Sequence, residues 1–223
     1  MFTHLNTITP VELKTIEGIK GRQYITPFGA KYPSITTVLG QQEKPHLKSW
    51  RANLGEAAAD KETKRAADRG SAVHLMIERF LNNDPDPTAG QHLDHITEFN
   101  SLRLHLKKIN NIITQESALW SDEMKVAGRV DCCGDFERKL SIIDFKTSTN
   151  NKSEAMIQDY WLQTTAYALM MHERYNIKID NIVIIMSVER GAVPLIFKKQ
   201  VDEFIEPLLQ RINTYHTTVG APR

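Results

Sequence analysis

The sequence predicts an α/β (α+β) fold, in which helices flank a mixed central sheet and a helical portion precedes it. Two observations lead to this prediction. Three strand-like segments follow one another between residues 112 and 147. A helical pattern then separates them from a short apolar run, NIVIIMSVE, whose β-branched residues are typical of a buried strand. The order is therefore helices, three strands, a helix, further strands and a final helix.

A single domain is expected over residues 1–223. The length of 223 residues and the hydrophobic content of 41% are sufficient for a substantial buried core. We divide this domain into an N-terminal hairpin and helical region (1–69), a core region (70–200) and a C-terminal helix (201–223). The net charge of +1 neither favours nor excludes a polyanionic partner.

The N-terminal region combines a hairpin with long helical patterns. RQYITPFGAKYPSITTVL predicts a hairpin around Pro27-Phe28-Gly29, which leads into a polar segment at 34–37. Helical patterns then extend from about Lys44 to Asn83. Within this stretch, five apolar residues have the i, i+3, i+4, i+7, i+8 spacing that is typical of one buried helix face. They are Val73, Met76, Ile77, Phe80 and Leu81.

The rest of the chain supplies the predicted sheet. The loop NNDPDPTAG precedes a predicted helix at about 91–108, and strands are predicted at 112–120, 125–135 and 140–147. A helix at about 153–175 carries a buried stripe of five residues: Ile157, Trp161, Thr164, Ala168 and Met171. Gly191-Ala192 turns NIVIIMSVE into VPLIF, and a last helix covers about 200–215.

Cysteine content and apolar runs exclude several classes of protein. Cys132 and Cys133 are neighbours, and neighbours on a strand point to opposite faces, so they are poorly placed to form a disulfide. A reduced, intracellular setting follows, and two cysteines are too few for an iron–sulfur cluster, which needs about four. The first residues do not have the pattern of a signal peptide, and the longest apolar run, Ile182–Met186, is too short to cross a bilayer. We expect no membrane association and a cytoplasmic location.

The stretch GRVDCCGDFERKLSIIDFKTS, residues 128–148, places ions within an apolar strand pattern. Burial of an ion beside isoleucines costs several kcal/mol unless the ion is paired or binds a metal. Asp144 and Lys146 are two residues apart on a strand, so they point to the same face, about 6–7 Å apart along the chain. These side chains need partners if the strand is buried.

Asp131, on the preceding strand, is the predicted partner. An Arg138-Lys139 hairpin loop would place Asp131 opposite Lys146, whereas a Glu137-Arg138 loop would place it opposite Asp144. Either register puts all three groups on one face of the sheet. Two neighbouring carboxylates repel each other unless a cation lies between them, and oxygen ligands of this kind favour Mg²⁺ or Mn²⁺.

The lysine extends the chemistry of these carboxylates. An ammonium group can position a nucleophilic water or offset the charge on a pentacovalent phosphate. Together the three groups suit metal-assisted hydrolysis of a phosphodiester. The alternative is a salt-bridged surface hairpin, and an isolated D-x-K pattern by itself favours that alternative.

Four sequence elements, in order, resemble the PD-(D/E)xK nuclease superfamily. Val130-Asp131 and Ile143-Asp144-Phe145-Lys146 are similar to its core motif. The helix that follows carries Gln163-Thr164-Thr165-Ala166-Tyr167, which is similar to the Q-x-x-x-Y motif of the RecB-like branch. Gly70-Ser71-Ala72-Val73-His74 is similar to the G-x-x-x-H helix of the same branch. The four elements together are much more specific than any one of them.

The N-terminal region narrows this resemblance. Pro33-Ser34-Ile35-Thr36-Thr37-Val38-Leu39 and the later Leu47-x-x-Trp50-Arg51 resemble the mitochondrial genome maintenance exonucleases and phage-type exonucleases. The resemblance then covers about residues 30–190. The four cysteines of the cluster-bearing RecB-like nucleases are lacking, and the sequence has no P-loop motif, so it has no motor of its own.

The resemblance implies a restriction-endonuclease-like core and a set of site residues. Asp131, Asp144 and the backbone carbonyl of Phe145 would hold the metal, with His74 as a further ligand. Lys146 would position the attacking water and help to stabilise the transition state. Mg²⁺ or Mn²⁺ is the expected cofactor.

Other polar residues are expected around this centre. By resemblance, Gln163 and Tyr167 would brace the site and contact the nucleic-acid strand. Hydroxyl groups could bind phosphates or simply make capping and turn bonds, and these belong to Ser34, Thr36, Thr37 and Thr147. Glu78 could orient His74, with a simple solvent-exposed position as the alternative, and Glu116 could assist a second metal. Trp50 or Tyr160 could stack on a base, although burial is the alternative.

The sequence therefore predicts a metal-dependent DNA exonuclease that favours single-stranded DNA ends. DNA replication, recombination or repair would be its setting, with a phage as one source and the host cytoplasm as the location in that case. A separate helicase or single-strand-binding protein is an expected partner. A structure- or sequence-specific endonuclease on the same core and a non-catalytic DNA-binding module are the alternatives.

Overall fold

The computed structural model of the chain describes residues 1–18, 21–42, 45–191 and 193–220, apart from the side chains of residues 45–47. Lys44, at the start of the predicted helical stretch, and Ala192, in the predicted turn, lie outside the described residues. The same is true of the side chain of Leu47 in the second N-terminal motif.

Eight strands are found in this part of the chain. They are β1 (Lys14–Gly18), β2 (Gly21–Ile25), β3 (Lys31–Pro33), β4 (Ile109–Ser121), β5 (Val126–Phe136), β6 (Lys139–Ser148), β7 (Asn181–Val188) and β8 (Leu195–Gln200). The α-helices of the described residues are α1 (Ile35–Gly40), α2 (Pro45–Leu54), α3 (Glu56–Leu81), α4 (Leu93–Leu106), α5 (Gln158–Tyr175) and α6 (Ile205–Val219). Short 3₁₀ turns precede α5 and α6, at Glu154–Ile157 and Val201–Phe204.

The central sheet is mixed, as the sequence predicts. Its strand order is β4-β5-β6-β7-β8. β6 and β7 are parallel and are connected through α5, while the other neighbours are antiparallel. Parallel strands need such a crossover, because a tight turn can only join antiparallel ones. This topology places the carboxyl end of β6 beside that of β7.

Helices cover both faces of the sheet. On one face, Ile143 and Phe145 of β6 share a buried cluster with Val73 and Met76 of α3 and with α4. On the other face, Ile142 shares a cluster with Trp161 of α5 and with α6. Full burial of one such side chain stabilises the fold by about 1.5–3 kcal/mol. β6 is therefore apolar on both faces along most of its length.

The two cysteines confirm this alternation. Cys132 packs in the cluster on the α3 side and Cys133 in the cluster on the α5 side, and both are buried free thiols. Their strand positions keep the two thiols on opposite sides of the sheet.

A second, three-stranded antiparallel sheet, β1-β2-β3, packs against the end of the central sheet. The predicted hairpin around Pro27-Phe28-Gly29 is the β2–β3 connection. Tyr24 and Tyr32 of this sheet share a buried cluster with Trp120 and Ala127 of β4 and β5. β1 is not predicted from the sequence, because all five of its residues are exposed and it has no apolar alternation.

The N-terminal helices differ in detail from the predicted ones. The long helical stretch is two helices, because Gly55 between α2 and α3 has a φ of 84°, which ends the first helix. The polar segment after Pro33 is the short helix α1. Ser34 is its N-cap and accepts a hydrogen bond from the Thr37 backbone N–H at 3.0 Å.

The turn between β5 and β6 decides the register that the sequence leaves open. Phe136 pairs with Lys139, so the loop consists of Glu137 and Arg138. Their φ values of 51° and 68° are both left-handed, as in a type I′ turn. The register that follows places Asp131 opposite Asp144.

Within the described part of the chain, no helix is long and apolar enough to cross a membrane.

Replacement of Arg138 by glycine should stabilise the protein. The left-handed conformation is unfavourable for a residue with a Cβ and costs glycine nothing in steric strain. We expect Arg138→Gly to raise the free energy of unfolding by about 0.5–1 kcal/mol in urea denaturation. Arg138→Ala is the matched control, since it retains the strain, and an equal gain in that variant would contradict the explanation.

Candidate active site

The strand pair β5–β6 opens where the two aspartates face each other. The last registered pair on this side is Cys132 with Ile143. One residue further, the Asp131 Oδ2 atom accepts a hydrogen bond from the Phe145 backbone N–H at 2.8 Å. The carboxylate thus takes the place of a backbone acceptor and satisfies a donor that the opening strands would leave free. Extension of this register by one residue puts Asp131 and Asp144 on the same face of the sheet.

Asp144 is the most deeply buried charged group of the site, with 1% of its side chain exposed. Its Oδ2 atom lies 2.5 Å from Lys146 Nζ, and its Oδ1 atom accepts a hydrogen bond from Gln163 Nε2 at 3.2 Å. Although Oδ2 makes this ion pair, it accepts no well-directed hydrogen bond from a described residue. One oxygen of this carboxylate is therefore held by Gln163, and the other faces the ammonium group of Lys146.

Burial controls the ionisation of this pair. Removal from water, together with the negative charge of Asp131, raises the pKa of Asp144 to about 7, although Lys146 acts in the opposite direction. Burial by itself would lower the pKa of Lys146. The charges of Asp144 and Asp131 outweigh that effect and raise it, so Lys146 remains an ammonium group. With 18% of its side chain exposed, Lys146 still reaches the surface.

His74 approaches the aspartates from α3. Its Nδ1 atom lies 3.8 Å from Asp131 Oδ2, and its ring meets the ring of Phe145 edge-to-face at 6.2 Å between centroids. With 29% of its side chain exposed, the imidazole is open on one side. His74 therefore lies next to Asp131, and its role as a metal ligand stays a prediction.

Buried ionic contacts fix the helix that carries His74. Arg69, five residues earlier on α3, donates a hydrogen bond to Glu189 at the end of β7, and its Nε atom lies 3.6 Å from Glu98 Oε2 of α4. Glu98 in turn accepts a hydrogen bond from Ser187 Oγ of β7 at 2.5 Å. Loss of one partner from such a buried network is strongly destabilising. This network fixes α3 relative to the strand ends.

Glu116 of β4 completes the group of acidic side chains. It lies between two registered pairs, Gln115 with Cys132 and Ser117 with Val130, so it faces Asp131 across the strands. Its φ of 45° is left-handed, which is uncommon for a residue other than glycine and marks a local distortion of the strand. The sequence predicts only an assisting role for Glu116, because the periodicity of β4 alone does not show which face meets Asp131.

His74, Glu116 and Asp131 could hold a metal ion together. One ligand atom from each lies within 4.8 Å of the other two. Burial, followed by the charges of Asp131 and Glu78, raises the pKa of Glu116 to about 7, and Arg129 acts in the opposite direction. An imidazole and carboxylates at such distances, together with the Asp144 oxygen that accepts no directed hydrogen bond, fit a divalent cation that prefers nitrogen and oxygen ligands.

A cleft of about 360 Å³ opens above these side chains. Five residues of α3 and one residue of β4 line this cleft: Gly70, Ser71, His74, Leu75, Glu78 and Glu116. Glu78 therefore lies on the wall of the cleft and is only half-buried, and it is not simply a solvent-exposed residue. The cleft gives the acidic group access from the surface.

Gln163 and Tyr167 lie behind Asp144. Gln163 Nε2 donates to both Asp144 Oδ1 and Tyr167 Oη, the latter at 3.3 Å. A Cβ atom on Gly128 would lie 2.6 Å from the Tyr167 ring, so the absence of a side chain at Gly128 is what leaves room for the tyrosine. Both residues are buried; Gln163 contacts the carboxylate directly, and Tyr167 contacts Gln163. Their contact with a nucleic-acid strand stays a prediction.

The predicted hydroxyl donors are divided between two places. Ser34 is buried, and its Oγ atom contacts the hydroxyl groups of Thr36 and Thr37 at 2.9 and 2.8 Å, so it is engaged as the cap of α1. Thr147 is half-buried at the end of β6, where it faces Gly70 of α3. Thr147 is thus next to the acidic group. Phosphate binding by these four residues stays a prediction.

Known proteins are similar to this chain in sequence. The sequence model of the PD-(D/E)XK nuclease superfamily matches residues 95–204, which include Asp131, Asp144, Lys146 and Gln163. Mitochondrial genome maintenance exonuclease 1 of Mus musculus is 26% identical over 173 residues, covering 72% of this chain and 51% of that protein. The proteins of the same name from Xenopus tropicalis and Homo sapiens are each 27% identical, over 181 and 176 residues.

The match does not extend over the whole of these relatives. The Xenopus and human proteins also match 72% of this chain, but only 49% and 50% of their own lengths. This chain spans about half the length of the curated relatives that it matches. The mixed sheet, the two facing aspartates with their lysine, and the family match agree with one another, and together they show that the chain is similar to the PD-(D/E)XK nuclease superfamily in sequence and in fold.

Proposed function

We propose that this protein is a metal-dependent deoxyribonuclease that removes nucleotides from single-stranded DNA ends. The observation that carries this proposal is the convergence of Asp131, Asp144, Lys146 and His74 at the open end of β5 and β6, beside a cleft that reaches the surface. Buried acidic groups with displaced pKa values, grouped in a cleft, are typical of catalytic sites.

His74, Asp131 and Glu116 would hold a divalent ion, and Asp144 and the Phe145 carbonyl are the further candidate ligands. When Mg²⁺ or Mn²⁺ is bound, it supplies Lewis acidity toward a phosphoryl oxygen and acidifies a bound water. The protein keeps the carboxylates in position: Phe145 N–H fixes Asp131, and Gln163 fixes Asp144. Pre-positioned ligands of this kind reduce the reorganisation that the reaction needs.

Lys146 is the residue that we assign to the reacting phosphate. Its ammonium group lies at the edge of the buried pair, held 2.5 Å from Asp144 and partly exposed. From there it can donate a hydrogen bond to an attacking water or to a phosphoryl oxygen, where negative charge increases in the transition state. Asp144 keeps the lysine protonated, so the positive charge is available at neutral pH.

The choice of an exonuclease and of DNA follows the relatives, which carry "genome maintenance exonuclease" in their names. Mg²⁺ or Mn²⁺ as the cofactor, the preference for single strands, and a role in replication, recombination or repair are parts of this proposal. So are a phage source, a cytoplasmic location, and a separate helicase or single-strand-binding protein as a partner. One domain over residues 1–223 is the unit that we propose to be active.

Removal of Lys146 or of the charge of Asp144 should abolish hydrolysis. We expect Lys146→Ala and Asp144→Asn to lower the rate on a labelled single-stranded oligonucleotide with Mg²⁺ by about 100-fold or more. Asp144→Asn retains the shape of the side chain and can still accept the Gln163 hydrogen bond. Product formation on denaturing gels measures the effect.

Lys178→Ala is the matched control for that experiment. Lys178 is exposed at the opposite end of the sheet, where it pairs with Asp180, so its loss should leave the rate unchanged. Wild-type rates in Lys146→Ala would contradict the mechanism. A circular single strand tests the mode of attack, because an exonuclease must leave the circle intact and a cut circle would favour an endonuclease.

The pH dependence of stability tests the environment of Glu116. Its carboxyl has an ordinary pKa of 4.5 and a pKa of about 7 in the folded chain. Between these values the folded group keeps a proton that the unfolded group has lost, so the folded state loses stability as the pH rises. Glu116→Gln lacks this titration. In urea denaturation with EDTA, the wild type should therefore lose stability relative to the variant from about pH 4.5 to 7.

The same variant tests metal binding without any measurement of activity. A cation that binds the folded state alone stabilises it, so Mg²⁺ or Mn²⁺ at about pH 8 should raise the melting temperature of the wild type more than that of Glu116→Gln. Parallel pH curves for the two proteins would contradict the assigned environment, and equal metal-induced shifts would remove Glu116 from the metal site.

A further inference from the structure

Two lysines lie near a single aromatic ring beside the acidic group. Lys146 Nζ and Lys152 Nζ each lie 5.1 Å from the centre of the Tyr160 ring. Lys152 Nζ also donates a hydrogen bond to Tyr160 Oη at 2.9 Å. Because both ammonium groups are at the same distance from one ring centre, they lie within about 10 Å of each other.

The two lysines have different partners. Lys146 is paired with Asp144. Lys152 has no carboxylate partner among the described residues, and its hydrogen-bond acceptor is the neutral phenol of Tyr160. The nearby Glu154 is directed to Lys199, at 3.4 Å. Since an ammonium group has three donors, Lys152 has two left for another acceptor.

The position of Lys152 is tied to the site through α5. Tyr160 is half-buried in the first turn of this helix, and Gln163, which holds Asp144, follows one turn later. Lys152 itself lies in the connection between β6 and the 3₁₀ turn before α5, six residues after Lys146. The hydrogen bond to Tyr160 therefore holds a positive charge near the reaction centre, within about 10 Å of Lys146.

We propose that Lys152 and Tyr160 form a second phosphate-binding subsite, at which Lys152 binds a phosphate near the scissile one on the same DNA strand. This subsite rests on the proposed function. A stacked strand carries one phosphate per about 3.4 Å of rise, so a separation of up to about 10 Å corresponds to phosphates a few nucleotides apart or closer. Tyr160 holds Lys152 in place through the hydrogen bond that its Oη atom accepts from Nζ.

Binding of a single-stranded oligonucleotide tests this subsite without hydrolysis. Fluorescence anisotropy in EDTA would measure the Kd of the wild type, Lys152→Ala, Lys152→Arg and Lys178→Ala over a range of salt concentrations. We expect Lys152→Ala to raise Kd by about tenfold and to reduce the slope of log K against log salt by about 0.7, the value for one phosphate contact on a single strand. Lys152→Arg should keep the wild-type slope, and Lys178→Ala should behave as the wild type.

Oligonucleotides with one uncharged methylphosphonate linkage locate the contact. The wild type should lose affinity when the linkage is at the phosphate that Lys152 binds, and Lys152→Ala should be insensitive to the linkage at that position. Such non-additivity is the signature of a direct interaction. A merely structural lysine would lower affinity equally for all linkages. Melting temperatures of the variants, compared with that of the wild type, separate loss of folding from loss of contact.

The outcomes distinguish the subsite from the proposed function. An unchanged salt slope and an unchanged linkage profile in Lys152→Ala would overturn the subsite. If the wild type in that case still hydrolyses DNA with Mg²⁺, the nuclease assignment stands and only the subsite falls. If the wild type neither binds nor hydrolyses any strand, the proposed function falls, and the subsite falls with it.

Discussion

A carboxylate buried at the end of an apolar strand, Asp144, is the constraint on which the rest of the site depends. Water would solvate this group far better than isoleucine neighbours do, so the fold must supply compensation. It does so from two elements: Lys146 on the same strand provides charge, and Gln163 on α5 provides a hydrogen bond. Asp131 adds repulsion from across the hairpin, which the lysine alone does not cancel. The surplus of negative charge is what makes the place suitable for a cation.

Much of the fold follows from the sequence because its periodicity is strong. β6 and α5 have clear patterns, and the residues of the predicted α5 stripe are buried. α1 is not evident from the sequence, because Ile35, Thr36, Thr37 and Val38 are β-branched. Its helix is stabilised by the Ser34 cap and by packing in the core, which are effects of the folded surroundings.

The sequence predicts which residues form the site better than it predicts how those residues are arranged. Two registers satisfy the alternation of β5 and β6, and the choice between them depends on left-handed residues at Glu137 and Arg138, neither of which has a marked preference for that conformation. The position of Glu116 next to Asp131 depends on a second register, that of the β4–β5 pair, which the sequence also leaves open. Lys152 lies in a connection without periodicity, so only its contact with Tyr160 distinguishes it from other surface lysines.

The origin of the site residues also has a consequence for the order of folding. Asp131 and Asp144 belong to one hairpin, β5–β6, whose contacts are local and form early in a typical chain. Gln163 and His74 arrive on helices from opposite faces of the sheet. Until both layers have docked, the hairpin holds two carboxylates with Lys146 as their one cation, without the hydrogen bond from Gln163 and without the imidazole of His74. We therefore expect the strand end to close last, so that a competent centre and a completely folded chain appear at the same moment.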